Sequence, residues 1–202
     1  MDETEEGGWL SSGLIPGGEG GVTSGLGWEF QWDHRDKVYA PYKGHFVRLS
    51  MLFFDPAFAS DFAFNHFTLD MRKYFNLGNN HVLAFQAYGE YNFGETPFNR
   101  MAQLGGQIIM RGYKIGTYRD QHLMAGQIEY RTPIWYFVGF TAFLGSGAVA
   151  RNFNDFQTSN FRPTYGMGLR LALNRKERIN LRLDYARGEY DGEFYLTLME
   201  SF

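Results

Sequence analysis

The residues best suited to bind another group lie in residues 104–120, whose sequence is LGGQIIMRGYKIGTYRD. The segment lies between two stretches that alternate like β-strands, yet its glycines make it a poor strand. Its apolar run at 108–110 is also unusual for a surface loop. The Arg-Gly-Tyr triplet at 111–113 is therefore expected to form the tip of a buried loop. A buried arginine needs a partner of opposite charge.

No arrangement of side chains typical of catalysis is found in the sequence. The serine of LGSGA, at 144–148, lacks one flanking glycine of a nucleophile elbow, and PGGEGG, at 16–21, lacks the lysine of a phosphate loop. Cysteine is absent, which excludes thiolate sites and disulfides. The histidines lack metal-ligand spacing; they are His34, His45, His66, His81 and His122. We predict a protein that is not an enzyme and that has no metal site and no cofactor.

Composition indicates that apolar and polar residues are interleaved at short range. The 202 residues include 20 Phe, 13 Tyr and 4 Trp, although the mean hydropathy is only -0.36. A net charge of -3, without a block of Lys or Arg, argues against a nucleic-acid partner. The acidic start, MDETEEGGWL, does not resemble a signal peptide. The chain is therefore cytosolic, already processed or a piece of something longer.

One uncharged stretch is nearly as long as a membrane-spanning helix. It is TPIWYFVGFTAFLGSGAVA, residues 132–150. Pro133, three glycines and many aromatic and β-branched residues favour a strand there instead.

Alternation with a period of two is the strongest signal in the chain. In VRLSMLFF, residues 47–54, the odd-numbered positions are apolar, and Arg48 and Ser50 lie on the other face. Turn signals such as LGNN at 77–80 separate the alternating segments. We assign residues 99–110 to the first part of the loop and do not count them as a strand. The remaining alternating segments predict nine strands, at 22–34, 44–54, 60–75, 81–93, 122–131, 136–149, 163–174, 178–188 and 193–202.

The two faces of these strands suit different environments. The polar face carries charged residues on strand after strand, which suits the water-filled lumen of a barrel. The apolar face is bordered by Trp and Tyr, which is typical of a lipid-facing band. Short and long connections alternate, which is also typical of outer-membrane barrels. A soluble sandwich or lipocalin-like barrel has the same period, and soluble expression without detergent would reveal it.

We therefore predict an all-β fold, an antiparallel transmembrane β-barrel or partial barrel of about nine to ten strands. Residues 22–202 would form the barrel domain. Residues 1–21 would be a flexible glycine-rich segment or an extracellular loop.

The order of the motifs resembles that of a known family. LGGQIIMRGY, then YRD, then GQIEYRTPI, resembles the bacterial surface antigen domain, which is the barrel of the BamA/TamA family of outer-membrane proteins. WDHRDKVYAPYKGH is similar to a turn of that family, and GLRLALNRKERINLRLDYARG and FYLTLMESF are similar to its last three strands. The resemblance runs from about residue 22 to the end, and implies a place in the lipid of the bacterial outer membrane.

The resemblance also implies a role for the loop. In that family the loop folds back into the barrel lumen, and its arginine docks on acidic groups of the inner wall. Arg111 would be that arginine, followed by Gly112, which permits a tight turn, and by Tyr113. Glu129, on the inward face of the next strand, would be its acceptor.

Other positions are expected to complete this motif. The family often has Phe-x-Asp-x-Gly on the following strand, where this chain has FLGSG at 143–147 without the aspartate. A second acceptor for Arg111 must then come from elsewhere, from Asp120 or Asp184. The residues expected to support the loop are Gly105, Gly106 and Asp120.

The carboxyl-terminal segment looks like the signal recognised by the outer-membrane assembly machinery, which would then be a partner. Its apolar residues are expected on one face of the last strand; they are Phe194, Leu196, Leu198 and Phe202. An ordinary edge strand is the alternative, although an exposed apolar edge invites aggregation.

The implied function is the assembly or translocation of outer-membrane proteins. The alternative is a structural or anchoring barrel, or a modest pore, that handles no client proteins. The client-binding domains that usually precede such barrels are not among these residues.

Single-chain bacterial barrels have even strand numbers, so nine strands predict part of a longer barrel. Closure would require another barrel segment or a second copy.

Overall fold

The computed structural model describes residues 16–18 and 20–202, so most of the predicted amino-terminal segment lies outside the described residues. Apart from short 3₁₀ turns, the chain is built from strands. The strands are β1 (Gly25–Asp33), β2 (Gly44–Phe54), β3 (Phe64–Gly78), β4 (His81–Gly94), β5 (Ala102–Leu104), β6 (Tyr118–Asp120), β7 (His122–Arg131), β8 (Val138–Ala150), β9 (Arg162–Asn174), β10 (Ile179–Arg187) and β11 (Gly192–Leu198). In this part of the chain, no helix is long and apolar enough to cross a membrane.

Nine strands form one antiparallel sheet in the order β1-β2-β3-β4-β7-β8-β9-β10-β11. β5 and β6 form a small sheet of their own at the base of the loop. Within the described ranges, β1 and β11 each have a hydrogen-bonded neighbour on one side alone, so the large sheet is not closed. The predicted fold class, an all-β antiparallel barrel or partial barrel of nine to ten strands, is confirmed.

Local chemistry explains where the predicted strand bounds shift. The strands predicted at 44–54 and 122–131 have those bounds in the structure. β3 begins later than predicted because Asp55 caps a 3₁₀ turn that ends at Ala59, with a left-handed φ of 60°. It ends later because Asn79 and Asn80, with φ of 50° and 62°, make a two-residue hairpin turn.

The alternation predicted from the sequence separates two faces of the sheet. Polar and charged side chains of the inner face are buried, among them Asp70, Gln86, Glu129, Arg131, Arg170, Arg182 and Asp184. Large apolar side chains cover the outer face and are exposed, among them Leu26, Phe30, Phe85, Phe140, Leu144, Met167 and Leu196. An apolar exterior around a charged interior is the arrangement of a membrane barrel.

The two ends of the sheet have connections of different kinds. Residues 34–43, 79–80, 132–137 and 175–178 join strands at one end, called here the turn end. Residues 55–63, 95–121, 151–161 and 188–191 join them at the other, the loop end. Trp32, Trp135 and Tyr136 are exposed near the turn end, where an aromatic girdle would meet the membrane surface.

Two distant turns meet at the turn end. Asp36 Oδ2 lies 2.7 Å from Arg178 Nη1, and Lys37 Nζ lies 3.0 Å from Glu177 Oε2. The Arg178 guanidinium also lies 3.7 Å from the centre of the Tyr42 ring. The connection between β1 and β2 is therefore tied to the connection between β9 and β10.

The last four residues leave the sheet. Phe194, Leu196 and Leu198 are exposed on the outer face, but Phe202 is 3% exposed and packs with Tyr74, inside the sheet. The prediction that Phe202 shares a face with the other three is therefore wrong. Met199 has a left-handed φ of 68°, which ends β11 and turns the chain inward.

The contact at the turn end predicts a pH dependence. Burial raises the pKa of Asp36, but hydrogen bonds from Arg178 and from the backbone N–H groups of Tyr42 and Lys43 outweigh it and leave the pKa below its usual value. A lowered pKa in the folded state stabilises the fold at neutral pH, and this contribution is lost as the pH falls below about 4. We expect Asp36→Asn to reduce the free energy of unfolding at pH 7 and to match the wild type below that range.

Urea unfolding in detergent, followed between pH 7 and 3, measures this difference. Asp191→Asn is the matched control, because the Asp191 side chain has no ion pair within the described residues. A deficit of Asp36→Asn that persists at pH 3 would contradict the assignment.

Candidate functional site

The site is the loop between β5 and β6, residues 105–117, which folds against the inner face of the sheet. Gly105 and Gly106 begin it with φ of 118° and 110°. A Cβ on Gly105 would lie 2.5 Å from the carbonyl oxygen of Lys114, and the Gly106 N–H donates to the Tyr113 carbonyl at 2.9 Å. The chain can reverse this tightly here because both positions are glycine.

Arg111 is the centre of the docked loop and is fully buried. Its Nη1 donates to Asp184 Oδ2 at 2.6 Å, and its Nη2 donates to Glu129 Oε2 at 2.6 Å. Its guanidinium carbon lies 3.4 Å from the centre of the Phe143 ring. One side chain therefore contacts β7, β8 and β10, through two charge-assisted hydrogen bonds and a cation–π contact.

The two residues after Arg111 fix the tip against the later strands. Gly112, with φ of 100°, donates its N–H to the Tyr195 hydroxyl at 2.9 Å, and a Cβ there would lie 2.7 Å from the Arg187 carbonyl carbon. The Tyr113 hydroxyl donates to the Pro163 carbonyl at 2.7 Å and accepts from the Glu189 N–H at 3.0 Å. The tip therefore requires the small residue at 112 and the hydroxyl at 113.

Backbone and apolar contacts hold the rest of the loop. Arg182 Nη2 donates to the Gln107 carbonyl at 2.9 Å, and Gln127 Nε2 donates to the Ile108 carbonyl at 2.7 Å. An apolar cluster lies between the loop and the wall, formed by Ala102, Leu104, Met110, Tyr113, Leu123 and Ala125. Met110 is buried in this cluster and Ile109 packs against it, whereas Ile108 is exposed, so burial explains two of the three apolar residues at 108–110.

The two acceptors of Arg111 belong to a larger buried network. Glu129 Oε1 accepts from Arg131 Nε at 2.7 Å, and Asp184 Oδ1 accepts from Arg170 Nη1. Arg170 Nε in turn donates to Glu200 Oε2 at 2.6 Å. The network therefore extends from the loop tip to the turn end of the sheet.

The structure brings most of the predicted site residues together. Arg111 lies against Glu129, as expected, and its second acceptor is Asp184, one of the two alternatives. Asp120 does not contact Arg111: its carboxylate accepts from the backbone N–H of Gln121 at 2.9 Å, beside the base of the loop. Residue 145 is a glycine, and the second carboxylate for Arg111 comes from Asp184 on β10.

Sequence reasoning missed three contacts of the tip. Phe143 stacks on Arg111, Thr164 donates its hydroxyl to the Arg111 carbonyl, and Tyr195 accepts from Gly112. Each lies at an inward position of its strand, so alternation gives their face. It does not show that the loop tip reaches them. Among the described residues, no group of three or more His, Cys, Asp or Glu is arranged to hold a metal ion.

Comparison with known proteins gives the family. The Omp85 superfamily domain matches residues 20–202. The crystal structure of BamA from Haemophilus ducreyi lacking POTRA domains 1-3 is similar in fold, with a TM-score of 0.69 and 15% sequence identity over 86% of this chain and 41% of that chain. The chain thus spans less than half of that BamA chain. No curated protein matches.

The resemblance read from the motifs is therefore confirmed at two levels, by the domain match over nearly the whole chain and by the shared barrel fold. The docked loop and the charged inner face lie within the matched residues. This protein belongs to the Omp85 superfamily and has a barrel of the BamA/TamA type.

Proposed function

We propose that this chain is the barrel portion of an outer-membrane protein that assembles or translocates other proteins, and that its turn end faces the periplasm. The observation that carries the proposal is the docking of Arg111 between Glu129 and Asp184 in a member of the Omp85 superfamily. Lipid and the outer-membrane assembly machinery are the proposed surroundings and partner. In this role the barrel acts by binding and positioning, without a catalytic step.

The docked loop can give the wall a fixed shape. Arg111 joins β7 to β10 through the two carboxylates, with Phe143 of β8 beneath it. A side chain tied to three strands resists changes in the curvature of the sheet between them. A wall of fixed curvature can hold the neighbouring free strand edge in place. A protein that guides other strands into a membrane needs such a fixed edge.

The two free edges indicate which partner closes the barrel. β1 and β11 both run from the loop end to the turn end, so each needs a neighbour that runs the opposite way. A second copy in the same membrane orientation would offer strands of the same direction and create two parallel seams. Bacterial barrels are antiparallel throughout.

We therefore propose closure by another barrel segment with an odd number of strands, and not by a second copy. Such a segment begins and ends with strands that run from the turn end to the loop end. It satisfies both free edges, which would otherwise leave backbone groups unpaired in lipid.

Arg111→Ala tests the docked loop. Removing one partner of a buried ion pair costs about 3–5 kcal/mol, because the remaining charge is left without a counter-ion. We expect the variant to be cleaved by trypsin at Lys114 and Arg119 at least tenfold faster than the wild type. Arg151→Ala, at an exposed arginine of another loop, is the matched control and leaves this rate unchanged. Equal rates in all three proteins would show that the arginine does not hold the loop.

The same pair of variants separates the proposed function from an anchoring barrel or a modest pore. In the bacterium, we expect Arg111→Ala to lower the amount of other folded outer-membrane proteins, whereas Arg151→Ala leaves it unchanged. The amount of the variant itself is measured beside them. If the variant is present at the normal level with a loosened loop and its neighbours assemble normally, the client-handling role is wrong.

Cysteine cross-linking tests the partner at the edges. The chain has no cysteine, so Phe30→Cys on β1 and Leu196→Cys on β11 report on those edges alone. In native membranes we expect no covalent homodimer of the double variant, because a second copy does not join the two edges. A high yield of β1–β11 homodimers would instead favour closure by a second copy.

A further inference from the structure

A cavity of about 290 Å³ opens at the turn end, away from the docked loop. Four arginines and a single carboxylate are the charged groups of its lining: Arg131, Arg170, Arg175, Arg178 and Glu200. We propose that this cavity binds a phosphate group, either as a free anion or on the headgroup of a lipid.

Neighbouring groups already fix three of the arginines. Arg131 donates Nε to Glu129 and Nη2 to the backbone oxygen of Phe202, each at 2.7 Å. Arg170 is held by Asp184 and Glu200, as part of the buried network. A ligand that binds them therefore does not have to order flexible side chains, which lowers the entropic cost of binding.

Arg178 is fixed from another direction. It contacts Asp36, donates Nη1 to the Ala40 carbonyl oxygen at 3.3 Å, and stacks on Tyr42. The connections at 34–43 and 175–178 thereby form two sides of the cavity mouth. A bound anion would contact both connections and reinforce the contact between them.

Two of these arginines have unused donors. The Arg131 and Arg170 side chains are 7% and 3% exposed. Arg131 Nη1 and Arg170 Nη2 nevertheless have no hydrogen-bond acceptor among the residues that the structure describes. Glu129 Oε1 lies 3.8 Å from Arg170 Nη2, which is beyond hydrogen-bond distance. Buried donors without an acceptor are costly, and both arginines belong to the lining of the cavity.

Arg175 completes the set at the rim. It is exposed and forms no ion pair with any described residue, so its guanidinium is available to a ligand that enters from solvent. Its neighbour Lys176 has the same charge but does not line the cavity. This pair gives a matched comparison of two cations in one turn.

The size and chemistry of the cavity favour a phosphate group. Its volume lies at the low end of small-molecule pockets, which suits a small anion or a headgroup and not a folded partner. Guanidinium groups bind phosphate oxygens in bidentate geometry. Asn80, Thr132 and Asn180 add neutral polar groups to the lining, which can donate to further phosphate oxygens.

Calorimetric titration of the protein with inorganic phosphate, in a zwitterionic detergent, tests the site. We expect saturable binding that Arg175→Gln weakens at least fivefold and that Lys176→Gln leaves unchanged. Both side chains are exposed, so both variants should fold. The proposal is overturned if the wild type shows no saturable binding, or if both variants lose the same affinity.

The source of the phosphate is distinguished in bilayers. The protein is placed in vesicles of a phosphate-free galactolipid with or without phosphatidylglycerol, and inorganic phosphate is titrated again. If phosphatidylglycerol lowers the affinity for added phosphate in the wild type but not in Arg175→Gln, the cavity takes a lipid headgroup. If the affinity is unchanged, it takes the free anion. Neither result depends on the assembly of other proteins.

Discussion

The contact on which the structure depends is that of Arg111 with Glu129 and Asp184, inside the sheet. The two carboxylates come from strands that are three positions apart in the sheet order, so a single guanidinium spans a wide part of the wall. All three side chains are fully buried. Each charge therefore depends on the others, since a buried charge without its partner destabilises the fold strongly.

The positions of Gly112, Tyr113 and the apolar cluster follow from this contact. The guanidinium reaches both acceptors if the backbone comes close to the wall, and Gly112 permits that approach because a Cβ would collide with the backbone of residues 187–188. The same carboxylates also accept from Arg131 and Arg170, which connects the loop tip to the turn end. One charged network thus joins the docked loop, the wall and the arginine-lined cavity.

The local sequence pattern predicted the strands. The features that it did not predict depend on contacts between residues far apart in the chain. Alternation placed Glu129 and Asp184 on the inner face, because the side chains of a strand alternate by two. Alternation did not show whether Asp120 or Asp184 is the second acceptor of Arg111, because the curvature of the sheet determines which carboxylate reaches the guanidinium. The inward turn after β11 depends on a left-handed φ at Met199, which nothing in the local sequence signals. The contact of Asp36 with Arg178 joins residues 142 apart in the chain.

A double-mutant cycle between Arg111 and Asp184 tests the central claim most directly. The free energy of unfolding in detergent is measured for the wild type, Arg111→Ala, Asp184→Asn and the double variant. If the two side chains form the buried pair, the single losses should not add, and the coupling energy should be about 1–3 kcal/mol. Losses that add to within about 0.5 kcal/mol would show that the two residues do not interact, and would contradict the docked loop.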